Sequence, residues 1–155
     1  MSKIVAWTQW SDLNAPDGVE LLSSHNRPLE SSDLSDITFY VPSYMGGKTA
    51  LDYASKMPKL SVLQMPNAGY DDALAYLRPG LTLCNASGVH DASTAELAVA
   101  LALASRRGFP TFLKNQFAGK WDHQRFNSLS DSKIGVIGFG SIGKQVAKNL
   151  SGFEV

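Results

Sequence analysis

Cysteine is almost missing from this 155-residue chain: Cys84 stands alone, inside an apolar run that reads as a buried strand. A single buried thiol excludes an internal disulfide framework and multi-cysteine metal sites, and it fits a reducing compartment. An excess of charge is missing too. The 14 basic residues are matched by 14 acidic ones, and no basic run stands out to neutralise phosphates, which argues against a nucleic-acid partner. No apolar run approaches the roughly 20 residues that a bilayer crossing needs, so no membrane partner is expected. The first residues, Met1 to Trp7, enter a strand-like run directly and lack the apolar core of a signal peptide. Cytoplasm is the expected location.

Glycine, by contrast, is placed with purpose. Lys133-Ile134-Gly135-Val136-Ile137-Gly138-Phe139-Gly140-Ser141-Ile142-Gly143-Lys144 reads as a short buried strand, a glycine turn and a helix, in that order. Ile134, Val136 and Ile137 supply the apolar run of a parallel strand covered on both faces. Ile142, Val146 and Leu150 recur at helical spacing, and Gly152 follows as a stop. This context makes the segment a dinucleotide-binding fingerprint, with Gly138, Phe139, Gly140, Ser141, Ile142 and Gly143 as candidate cofactor residues. Gly138 permits the tight turn, Gly140 lets the backbone approach a pyrophosphate, and Gly143 lets the helix lie close on the strand. The amides and positive end of the helix then face the phosphates. The acidic residue that holds the adenine ribose is expected about 20 positions further on, at or beyond Val155. The cofactor is therefore NAD or NADP, with the choice open.

Along the rest of the chain, strands and helices alternate as in a doubly wound α/β domain. Strands are expected at Ile4 to Thr8, Ile37 to Val41, Ser61 to Met65 and Leu81 to Asn85. Helices are expected at Thr49 to Met57, ended by Pro58, and at Asp71 to Leu77, ended by Arg78-Pro79-Gly80. The polar region from Asp12 to Asp36 accommodates a short helix around Val19 to Ser23 and a weak edge strand. A long helix is expected from Ser93 to Gly108. Ser93-Thr94-Ala95-Glu96 reads as a capping box, Arg106 and Arg107 complement the negative end of the dipole, and Gly108 and Pro110 read as stop signals. The body of this helix is apolar nearly all round, so it is expected to be covered on more than one face, between domains or subunits.

Four landmarks, in order, resemble the D-isomer-specific 2-hydroxyacid dehydrogenases, in particular the phosphoglycerate and glycerate dehydrogenases. They are Asn67-Ala68-Gly69-Tyr70-Asp71 after a strand, Ser93-Thr94-Ala95-Glu96-Leu97 opening an alanine-rich helix, Gly119-Lys120-Trp121, and the fingerprint after Leu129. The resemblance covers residues 60 to 155, and the preceding third matches by pattern. It implies a flavodoxin-like substrate domain over 1–92, a linker helix and loop over 93–129, and the start of a Rossmann NAD(P)-binding domain over 130–155, with the active site in the cleft between the domains. It also implies that Asn67, Ala68 and Gly69 offer backbone amides to the carboxylate of a small 2-hydroxyacid or 2-oxoacid substrate and approach the nicotinamide. A small-residue loop at the carboxyl end of a parallel strand suits that task, because bare amides suit an anion. One departure is that the family often carries a second acidic residue three positions after the one matching Asp71, where this chain has Leu74.

The chemistry implied is hydride transfer between nicotinamide C4 and substrate C2. It needs a histidine acid/base, a carboxylate paired with it, and an arginine for the substrate carboxylate and carbonyl. In the family all three follow the fingerprint, so no catalytic residue is assigned within 1–155. His25, His90 and His123 read as loop or surface residues, Glu96 as a helix cap, and Arg106 and Arg107 as helix-end charges. The chain is thus expected to be the N-terminal portion of such an enzyme, a homodimer when complete and inactive as this piece alone. The alternative is a truncated, non-catalytic binding or dimerisation module. Alanine dehydrogenase and adenosylhomocysteine hydrolase types fit Ala68-Gly69 and Ser93 to Glu96 less well.

Overall fold

A computed structural model describes residues 3–23, 29, 34–130 and 132–155. His25 lies outside the described residues. The chain divides into two compact units, one up to Ser87 and one from Gly88 onward.

In the first unit five strands form one parallel sheet: β1 (Ile4–Thr8), β2 (Val19–Ser23), β3 (Phe39–Tyr40), β4 (Val62–Gln64) and β5 (Thr82–Cys84). Their order, β2-β1-β3-β4-β5, is that of the flavodoxin-like doubly wound sheet. Register places Leu22, Trp7, Tyr40, Leu63 and Leu83 side by side across the sheet. Residues level with one another in register share a face, so this row forms one continuous surface. Trp7, Tyr40 and Leu63 are buried there with Ile37, Leu51, Ala54, Met57 and Leu60. The Trp7 and Tyr40 rings meet at 5.4 Å with a 43° tilt. Full burial of a side chain such as Ile37 or Leu63 stabilises by about 1.5–3 kcal/mol.

Helix α1 (Gly47–Asp52) runs into a 3₁₀ turn at Tyr53–Lys56. The expected helix is present but starts two residues early and tightens before Pro58. Arg78 closes its end, its guanidinium donating to the carbonyl oxygens of Ala54 (3.0 Å) and Met57 (2.5 Å). The same carbonyls also accept from Met57 N at 3.4 Å and from Leu60 N at 3.3 Å, so the guanidinium reinforces a helix end that the backbone already closes. The second expected helix is a 3₁₀ helix over Asp71–Tyr76. Its Tyr76 hydroxyl donates to Asp52 Oδ1 at 2.7 Å, and Lys48 donates to the same carboxylate at 2.9 Å.

Of the four expected strands, Ile4–Thr8 is present as expected and the other three are present with trimmed ends. Val19 to Ser23 is a correction: it is not a helix but the edge strand β2, paired residue for residue with β1 from Ile4↔Val19 to Thr8↔Ser23. A five-residue segment is too short to gain from helix propagation, whereas each of its residues lies level with one of β1.

The second unit holds three helices: α2 (Asp91–Arg106), α3 (Phe109–Phe117) and α4 (Ser141–Leu150). Helix α2 starts two residues before the expected Ser93, and this abolishes the capping box. Ser93 lies in the first turn, and its hydroxyl donates back to the His90 carbonyl oxygen at 3.1 Å. Serines inside a helix commonly bond this way. Glu96 is exposed. Gly108 ends α2 as expected, with φ +68°, its N–H donating to Ser105 O at 3.2 Å. Pro110, however, does not end structure; it sits in the first turn of α3, where its missing N–H would have had no partner anyway. Within this unit α2 is covered only in part. One face packs on α4, while Leu97 and Leu101 are 59% and 60% exposed. Arg106 anchors the following chain by donating to Ser128 O and Ser132 Oγ at 3.0 and 3.1 Å.

The predicted strand Ile134–Ile137 is a further correction. The segment enters no ladder among the described residues, and Ile137 is fully exposed. A parallel strand needs a neighbour to receive its N–H groups, and no described strand of this unit provides one. Helix α4 follows as expected, with Leu150 buried and Ile142 and Val146 half-buried.

Candidate functional site

The glycine turn has the geometry that its spacing predicts. Gly138 has φ +89°, a left-handed conformation that costs any other residue type roughly 1–2 kcal/mol. Gly140 caps α4 in an extended conformation, and a Cβ built on it meets no atom within 4 Å. At Gly143 the space is closed: a Cβ would run into the Gly138 carbonyl oxygen and lie 3.3 Å from Val136 Cγ1. The glycines therefore do three different things: one bends the chain, one keeps an approach open, and one allows the helix to press on the preceding segment.

Lys144 N donates to Gly140 O at 3.0 Å, which closes the first turn of α4. The N–H groups ahead of it have no acceptor within the helix, and no side chain caps them. Phe139 is 61% exposed on the rim, Ser141 is exposed and Ile142 is turned inward, half-buried. The Ser141 hydroxyl donates to Asp91 Oδ1, the first residue of α2, at 3.1 Å. Open backbone at Gly140, uncapped amides and a positive helix end fit the diphosphate of a dinucleotide. Asp91 was not singled out in the sequence; its acidic type at a helix start was the one available signal.

In the first unit, Asn67, Ala68 and Gly69 follow β4. Ala86 N donates to Asn67 O at 3.0 Å and Asn85 Nδ2 to Ala68 O at 2.8 Å. The loop is thus tied through its carbonyls. Its Ala68 and Gly69 N–H groups donate to no acceptor among the described residues, so they are available to an anion. Gly69 is not demanded by crowding, since the nearest atom to a Cβ there is Asn67 Nδ2 at 3.8 Å. Beside the loop lies a concavity of about 220 Å³ whose lining includes Asn67, Asp72, Ser43, Met45, Leu51 and Met65. Met45 is the one described non-glycine residue with positive φ, +58°, and it is 84% exposed. Tyr44-Met45-Gly46-Gly47, directly after a strand, was the unused sequence signal for this second wall. Open α/β sheets bind ligands outside the carboxyl ends of their strands, where both loops lie.

Of the other candidates, His90 precedes α2 and is half-buried, His123 is exposed, and Arg106 is engaged with Ser128 and Ser132. Among the described residues no group of three or more His, Cys, Asp or Glu side chains is placed to hold a metal ion. No described helix is long and apolar enough to cross a membrane.

The family model described as D-isomer specific 2-hydroxyacid dehydrogenase, NAD binding domain, matches residues 99–155. D-3-phosphoglycerate dehydrogenase of Methanocaldococcus jannaschii is 35% identical over 112 residues, which cover 70% of this chain and 21% of that protein. Residues 99–155 are thus similar to the NAD-binding domain of the D-isomer-specific 2-hydroxyacid dehydrogenases. Another relative, glyoxylate/hydroxypyruvate reductase HPR3 of Arabidopsis thaliana, is 32% identical over 64% of this chain and 32% of its own length. Among solved structures, a D-isomer specific 2-hydroxyacid dehydrogenase family protein of Aeromonas salmonicida matches the fold. Its TM-score is 0.75 at 20% identity, covering 99% of this chain and 52% of that one. The chain thus spans about a fifth to a third of the length of these curated dehydrogenases and about half of that solved chain.

Proposed function

We propose that this chain contributes the substrate-carboxylate loop and the dinucleotide-phosphate turn of an NAD(P)-dependent oxidoreductase that moves a hydride between nicotinamide C4 and C2 of a D-2-hydroxyacid or 2-oxoacid. The observation that carries it is the division of labour among Gly138, Gly140 and Gly143 at the start of α4. On this reading residues 1–92 are the substrate domain, 93–129 the linker, and 130–155 the start of the cofactor domain. The nicotinamide, when bound, supplies or accepts the hydride. The chain's own contribution is to hold charge in place. The Ala68 and Gly69 amides bind the substrate carboxylate, Asn85 and Ala86 fix that loop from behind, and the first amides of α4 bind the diphosphate.

We further propose that the complete protein works in the cytoplasm as a homodimer, and that this chain by itself turns over no 2-oxoacid. The support for inactivity is chemical. A reduction needs an acid poised at the substrate oxygen, and among the described residues no histidine lines the concavity beside the Asn67 to Gly69 loop. Exposed Leu97, Leu101, Phe117 and Trp121 support self-association.

Gly140→Val is the direct test. A branched side chain there fills the open approach, so NAD(H) binding followed by calorimetry should weaken at least tenfold while the circular dichroism spectrum is kept. Unchanged affinity in a folded variant rejects the dinucleotide assignment.

A further inference from the structure

The Ser141–Asp91 contact joins residues 50 positions apart and sits on the element that the dinucleotide reading assigns to phosphate. Asp91 is the first residue of α2 and half-buried; Ser141 is the first residue of α4 and exposed. Its carboxylate therefore lies at the starts of both helices, where the aligned peptide dipoles favour negative charge. The Ser141 hydroxyl has a single hydrogen to donate, and Asp91 receives it. A diphosphate that seeks the amides of Ser141, Ile142 and Gly143 meets a fixed negative charge one hydroxyl away from them.

On the dinucleotide reading above, we propose that Asp91 is an internal anion that competes with the cofactor diphosphate for the start of α4 and sets how tightly the dinucleotide is held. Two consequences follow from charge alone. The carboxylate repels the incoming diphosphate, and it withholds the Ser141 proton until the diphosphate oxygen takes it over. A fixed unit charge beside an anion site, in half-exposed surroundings, changes a binding constant roughly three- to tenfold. Added salt reduces the effect, because exposed charges about a Debye length apart are screened.

The test uses the whole 155-residue chain labelled with ¹⁵N, following the Gly138 to Gly143 amide resonances during titration with NAD⁺ and, separately, with inorganic pyrophosphate. Asp91→Asn keeps the side-chain shape and removes the charge. Its titration midpoint should fall about three- to tenfold for both probes, and the difference from the parent should shrink in high salt. Asp91→Ser, which also suits a helix start, should behave the same way, and Asp91→Glu should titrate like the parent. Equal midpoints in the parent and the two neutral variants overturn the role of Asp91 and leave the dinucleotide assignment standing, as does weaker binding in those variants. Amides that stay silent in all four proteins at millimolar probe overturn the dinucleotide assignment itself, and the role of Asp91 with it.

Discussion

The Tyr40 hydroxyl donates to the Ala50 carbonyl oxygen at 2.7 Å, in a buried position, and so fastens α1 to the central strand β3. Burial pushes the Tyr40 phenol well above its ordinary value of 10.0. Tyr40→Phe strands the Ala50 carbonyl without that partner and should cost about 1–2 kcal/mol in urea denaturation.

The same phenol gives a pH dependence with a defined sign. Its folded value is raised, so its contribution is complete below about pH 10 and declines as pH rises above the unfolded value. Parent stability measured between pH 9 and pH 11 should fall by more than that of Tyr40→Phe. Parallel curves for the two proteins refute the assignment.

Gly108 should tolerate no side chain. Its φ is +68°, and a Cβ there would strike the Phe126 ring, which packs edge-on against Phe112 at 5.2 Å. Gly108→Ala should destabilise the chain by about 1–3 kcal/mol. Adding Phe126→Ala should recover only the part due to the clash, because the left-handed backbone remains. A thermal-shift series on the two single variants and the double variant separates the two costs.

The Asp52 carboxyl is held below its ordinary value of 3.8, first by the hydrogen bond from Tyr76 and next by that from Lys48. A lowered folded value means that this contribution is present above pH 3.8 and lost as pH falls through the folded value. Carbon-detected titration should find Asp52 ionising below 3.8 in the parent and closer to that value in Tyr76→Phe. An unmoved titration removes Tyr76 as the main cause.

How much of this was legible in the sequence varied with how local the cause was. Ile4–Thr8 was delimited to the residue because its apolar run has polar neighbours at both ends. The turn was readable at Gly138 and Gly143 because a positive φ at the first and a crowding carbonyl at the second are local demands, whereas nothing in the chain crowds Gly140. Val19 to Ser23 was ambiguous because its strand state depends on β1, a partner that propensity does not register. The Ser93 capping box misled because helix starts compete, and Asp91 two residues earlier also suits a first turn. Ile134 to Ile137 reads as a strand from composition, yet a ladder is a property of two segments. The Asp91–Ser141 contact spans 50 residues and had no local signal beyond residue type.

The all-parallel order of the sheet carries a kinetic consequence. Tight two-residue reversals cannot join strands that run the same way, so every pairing closes a long loop; Thr38 meets Val5 across 33 residues. The entropy of each closure is spent before its contacts form. The first unit should therefore refold slowly for its size, on a scale of milliseconds or longer.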